Sequence, residues 1–105
     1  MQLEDDDEHS TIKAIVEQFM LDMVEQMNRI DDAIASKDLT LVARASHTIK
    51  GNSATFGLYQ VEKIAKRLEA VAKGSSNEDP VALCSSLREA FAAGKSALTE
   101  RLSAQ

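Results

Sequence analysis

The chain has 105 residues, 17 of them acidic and 12 basic, and a formal net charge of −5. That length holds one domain with one core. The acid surplus excludes a general nucleic-acid binder, which needs Lys and Arg to displace counterions from phosphates. The single cysteine, Cys84, excludes a disulfide scaffold.

No apolar run approaches the roughly 18 residues of a membrane span. The start, MQLEDDDEHS, is acidic and does not read as a signal peptide. A small soluble intracellular domain is expected. There are one Pro and four Gly, and apolar residues recur at three- and four-residue spacing, with no stretch alternating strictly at period two. An all-α fold follows.

Residues 1–9 are expected to form a flexible acidic segment, His9 included, ahead of a domain at 10–105. The first helix is expected over Ser10–Ala35, with Ser10 or Thr11 as N-cap. Its stripe is Ile12, Val16, Phe19, Met20, Met23, Met27, Ile30 and Ile34, a Met-rich core face. Ile15 and Val24 fall off that stripe and should be exposed. The second helix is expected over Leu39–Phe56, capped by Asp38 and stopped by Gly57. The third runs over Leu58–Lys73, with core positions Leu58, Val61, Ile64, Ala65, Leu68, Val71 and Ala72. Glu62–Lys66 and Glu69–Lys73 are i,i+4 pairs in the favourable orientation. Residues 74–80 read as a loop. Asp79 then caps a fourth helix with Pro80 at its first position, burying Cys84, Leu87, Phe91, Leu98 and Leu102. Four amphipathic helices with short connections predict an antiparallel up-down-up-down four-helix bundle.

The second helix carries the functional signal. With His47 at zero on a wheel of about 100° per residue, Val42, Ala45, Ile49, Asn52, Ser53 and Phe56 fall at roughly 140–240°. His47 therefore points away from the core, onto a face with Thr40, Ala43, Arg44, Lys50, Gly51 and Ala54. That face is unusually small for a solvated surface. Gly51 sits mid-helix, where it costs about 1 kcal/mol relative to Ala, and a helix Gly often marks close approach by another group. An exposed imidazole is nucleophilic when neutral. A phosphoryl group on it would lie within reach of Lys50, and Gly51 would leave room for a partner's loops. No second nucleophile, phosphate loop or metal triad accompanies it.

Residues 47–57 read His-Thr-Ile-Lys-Gly-Asn-Ser-Ala-Thr-Phe-Gly. This resembles the HxxKGxxxxxG signature of histidine-containing phosphotransfer (Hpt) domains, and the likeness extends over roughly residues 10–73. The resemblance implies a four-helix bundle in which His47 is phosphorylated on Nε2, Lys50 balances the phosphoryl charge, and Gly51 permits docking. It also implies that Glu69 accepts from His47 Nδ1–H. The implied partners are response-regulator receiver domains and a hybrid sensor histidine kinase. The receiver supplies the aspartate and Mg²⁺, so no cofactor is expected on this chain. A docking surface of Ile15, Ala43, Arg44, Thr48 and Ala54 follows. Many members begin with a further short helix, whereas this sequence starts almost at its acidic segment.

Two other classes remain. One is the phosphoacceptor domain of a chemotaxis-type kinase, which shares the signature; Thr55-Phe56-Gly57 and Glu69 fit it. The short free chain favours a standalone carrier, monomeric and cytoplasmic, with nuclear entry open in a eukaryote. The other is an inert helical scaffold. The charge distribution points to where function lies. Residues 10–105 sum to zero, and residues 37–73 carry +4, around His47. Such a patch would attract a phosphoryl group and an acidic receiver pocket.

Overall fold

The computed structural model describes the backbone of residues 2–104 and the side chains of residues 10–101. Four helices account for nearly all of it: α1 (Gln2–Ala35), α2 (Leu39–Thr55), α3 (Tyr59–Ala72) and α4 (Pro80–Ala104). Each helix packs on its chain neighbours, and α1 closes the ring against α4. The connections at 36–38 and 56–58 are too short for anything but a reversal of direction. The result is the expected all-α four-helix bundle.

Each helix end has a local cause. Asp38 Oδ1 accepts from Leu41 N at 3.1 Å, and Asp79 Oδ1 from Val81 N at 3.0 Å. Both aspartates thus cap as expected. Three helix C-termini close in one way, with a left-handed residue and a pair of returning hydrogen bonds. At α1 the residue is Lys37 (φ 60°), with Asp38 N bonded to Ala33 O at 2.8 Å and Lys37 N to Ile34 O at 3.1 Å. At α2 it is Gly57 (φ 73°), with Leu58 N on Ser53 O at 2.8 Å and Gly57 N on Ala54 O at 3.2 Å. At α3 it is Gly74 (φ 79°), with the matching bonds to Ala70 and Val71. Lys37 alone of the three is not glycine.

The core is mostly the expected one. Val16, Phe19, Met23, Met27 and Ile30 are buried, with Met20 and Ile34 partly so. Val42, Ala45, Ile49, Val61, Ile64, Ala65, Leu68, Leu87 and Phe91 meet them. Ile15 and Val24 are exposed as expected. Phe19 stacks on Phe56 with centroids 4.1 Å apart and meets Phe91 edge-on at 6.5 Å. One aromatic cluster thereby joins α1, the end of α2 and α4.

Several boundaries differ from expectation. α1 begins at Gln2, so Ser10 and Thr11 lie inside the helix rather than at its N-cap. Acidic residues near a helix N-terminus complement its dipole, and the acidic run extends the helix rather than preceding it. The expected flexible segment, residues 1–9, lies outside the described side chains, as does Leu102. Ile12 is 43% exposed rather than buried. The cause is length: 34 residues of α1 span about 51 Å, against about 26 Å for α2. Because Phe56 lies level with Phe19, Ile12 stands beyond the end of α2. Phe56 is the cap of α2 rather than its last turn, and Leu58 precedes α3. Ala33 and Leu83 join the core unforeseen.

The left-handed turns yield a paired test. Lys37→Gly removes a backbone penalty and should raise the unfolding free energy by about 1 kcal/mol, and Gly57→Ala should lower it by a similar amount. Urea unfolding midpoints measure both.

Candidate phosphotransfer site

α2 carries His47, with Lys50 and Gly51 one turn on. The reversal at Gly57 lays α3 alongside α2 and brings Glu69 to His47 across 22 positions of sequence. His47 Nδ1 lies 3.0 Å from Glu69 Oε2, and Lys50 Nζ lies 2.9 Å from Oε1. Lys73, one turn on at the C-terminal cap of α3, places its Nζ 3.2 Å from Oε2. Glu69 is only 7% exposed, the one charged residue among the described ones that is buried.

A buried carboxylate is tolerated only when its oxygens are satisfied. Here both are, by three donors. The Lys50 hydrogen bond is the main reason the Glu69 carboxyl is held down at a pKa of about 2; burial opposes it, and Lys73 and His47 reinforce it. Glu69 is thus ionised at neutral pH and can only accept. Nδ1 must then be the protonated nitrogen of a neutral His47, leaving the Nε2 lone pair free. The His47 side chain is 68% exposed. The expected Glu69–Lys73 pair forms, but no ion pair joins Glu62 to Lys66.

The close approach of α3 has its own cause. Ser46 and Ser53 are fully buried, and neither hydroxyl has a hydrogen-bond partner. On the helical wheel both lie within about 60° of Lys50, on the side of α2 that reaches α3. Small side chains there let the two backbones come near enough for Glu69 to reach His47.

His47 borders a shallow concavity of about 370 Å³, lined also by Thr40, Ala43, Arg44, Thr48, Glu69 and Lys73. The structure therefore gathers Ala43, Arg44 and Thr48 around the histidine. Ile15 does not join them. It is 54% exposed and lines a separate groove with Gln18, Phe19, Asp22, Asn52 and Phe56. Ala54 is exposed and lines neither. A Cβ added at Gly51 would meet nothing within 4 Å, so nothing inside this chain requires glycine there. The larger cavity, about 650 Å³ between the start of α3 and α4, holds none of these residues. Among the described residues no group of His, Cys, Asp and Glu is arranged to hold a metal ion.

The sequence marks Lys73 as an i,i+4 partner of Glu69 and gives no sign that it shares that carboxylate with His47. The two contacts coexist, because one carboxylate oxygen serves both.

The depressed pKa of Glu69 has a stability consequence. The group is ionised in the folded state down to about pH 2, whereas an unfolded Glu titrates near 4.3. Its stabilisation is present above that unfolded value and is lost as pH falls from there through about 2. The difference in unfolding free energy between wild type and Glu69→Gln should therefore narrow from pH 5 to pH 2. Denaturant titrations across that range check it.

Comparison with known proteins agrees with this geometry. A 69-residue stretch is 30% identical to Multistep phosphorelay regulator 1 of Schizosaccharomyces pombe (strain 972 / ATCC 24843), covering 66% of this chain and 23% of that protein. The chain thus spans about a quarter of the length of the curated relative it matches. No solved structure matches it. Residues 14–103 match the family model of the Hpt domain. With that match over most of its length, and with a solvent-facing histidine held by a buried carboxylate on a helical bundle, the chain belongs to the Hpt domain family.

Proposed function

We propose that the chain is a phosphocarrier of a multistep phosphorelay, shuttling a phosphoryl group between receiver-domain aspartates by way of His47 Nε2. The observation that carries this is the 3.0 Å contact of His47 Nδ1 with Glu69, on a ring that is 68% exposed. It fixes the proton on one nitrogen and presents the other. The family supports the same conclusion, as does the name of the Schizosaccharomyces pombe relative, a multistep phosphorelay regulator.

In the forward step the Nε2 lone pair attacks the phosphorus of an aspartyl phosphate on the partner. The P–O bond breaks and the aspartate leaves as a carboxylate. Nδ1 keeps its proton, and the positive charge gained by the ring faces Glu69. Passing the group onward reverses each change. Such transfers run through a loose transition state, so positioning and charge neutralisation carry most of the catalysis. Lys50 and Lys73 hold Glu69 in place and add positive potential. Gly51, exposed and with open space where a Cβ would stand, gives the partner room. The receiver supplies the aspartate, Mg²⁺ and acidic pocket, so the carrier is not an enzyme by itself. A hybrid sensor kinase upstream and a response regulator downstream complete the relay. Ala43, Arg44 and Thr48 beside His47 form the centre of the docking surface, with exposed Ala54 and the separate Ile15 groove at its margin, on a monomer working in the cytoplasm. Among the described residues no helix is long and apolar enough to cross a membrane.

The test is transfer from a phosphorylated receiver. Wild type should take up an acid-labile, alkali-stable label, and His47→Gln should take up none. Labelling by a kinase domain with ATP, and by no receiver, would instead assign the chain to the chemotaxis-type phosphoacceptors. Gly51→Ala separates docking from folding. It should raise the unfolding free energy by up to ~1 kcal/mol yet slow receiver transfer about tenfold, equivalent to ~1.4 kcal/mol of lost docking. Urea unfolding and single-turnover transfer read the two effects.

A further inference from the structure

Lys50 and Lys73 both commit their charge to Glu69, at 2.9 and 3.2 Å. Arg44 does not. No described carboxylate pairs with its guanidinium, and its backbone carbonyl accepts from Thr48 Oγ1 at 3.1 Å. Arg29, Arg67 and Arg88, by contrast, each hold a carboxylate. Arg44 also lines the concavity beside His47, together with Thr40, Glu69 and Lys73. Helical side chains lean toward the N-terminus, so the His47 ring leans over the turn that carries Arg44. With Nδ1 occupied, Nε2 is the atom left to face that concavity and solvent.

We propose that Arg44 is the cation that holds the phosphoryl group once it is on His47 Nε2. This rests on the phosphocarrier function above and gives Arg44 a role beyond docking. Two arguments favour it over the lysines. A lysine that swung onto the phosphoryl group would leave part of a buried carboxylate unpaired, a costly exchange. A guanidinium presents two parallel N–H groups that match two phosphoryl oxygens, whereas an ammonium acts as a point charge. The charged groups facing the site are Arg44 and Lys50 from α2, Glu69 from α3 and Lys73 from the cap of α3. Of these, Arg44 alone changes no existing pair when the phosphoryl group arrives.

The test uses the full chain labelled with phosphoramidate, in a His9→Gln background so that His47 is the sole acceptor histidine. The P–N bond of the reagent breaks, ammonia leaves and the Nε2–P bond forms, with no receiver needed. The pH midpoint of the phosphoryl group is then followed by ³¹P NMR. A cation about 5 Å away stabilises the dianion, so Arg44→Gln should raise the midpoint by about half a unit, with Arg44→Lys in between. Lys63→Gln removes an equal charge from the exposed face of α3, away from the concavity, and should leave the midpoint nearly fixed. An Arg44→Gln shift no larger than that of Lys63→Gln overturns the proposal. A chain that shows the shift yet exchanges with no receiver would overturn the carrier function and leave the Arg44 contact standing.

Discussion

An ionised carboxylate drawn out of water governs this structure. Glu69 has almost no access to solvent, and water can therefore do little to stabilise its charge. The protein must provide donors for both oxygens, and it does so from two helices. That requirement sets the spacing of the site. His47 and Lys50 must be one turn apart on α2, Glu69 must lie opposite them on α3, and Lys73 must follow one turn later at the C-terminal cap of α3. The tight reversal at Gly57 and the two small buried serines of α2 make that register reachable. Had Glu69 been exposed, water would have competed for every one of these bonds.

The remaining helices contribute no atom to the site but make it stable. α3 has 14 residues, near the length at which an isolated helix is marginal in water. Its order comes from burying Val61, Ile64, Ala65 and Leu68 against neighbours that include α4. α1 serves α2 similarly, through Phe19 and its stack with Phe56. The chemistry is thus located on one hairpin, while the energy that holds the hairpin comes from the whole bundle.

Most of this fold could be read from the sequence where apolar periodicity persists for several turns, as along Val16, Phe19, Met23, Met27 and Ile30. It failed where periodicity carries no information. The acidic start of α1 has no apolar repeat to mark it as helix. Ile12 has the right phase, but a helix phase does not say where the partner helix stops. The left-handed turn at Lys37 lacks the glycine that flags such turns. Within the site, His47, Lys50 and Gly51 share one helix, and the wheel alone puts them on one face. Glu69 lies on another helix, and no periodicity connects it to His47; only the family resemblance did. Lys73 shows in the sequence only as an i,i+4 partner of Glu69, because that spacing does not reveal that the same carboxylate also serves His47.

The hairpin's dependence on the bundle makes His47 informative about more than its own chemistry. The nitrogen that bears its proton is chosen by a carboxylate on the shortest helix. Any loosening of the packing between α3 and α4 reaches that carboxylate without needing to disturb α2. The histidine would then revert to the tautomer of a free imidazole while its own helix stayed intact. The ring is in effect a built-in gauge of the bundle's integrity: a chain that has begun to lose its tertiary structure also loses the contact that sets its tautomer.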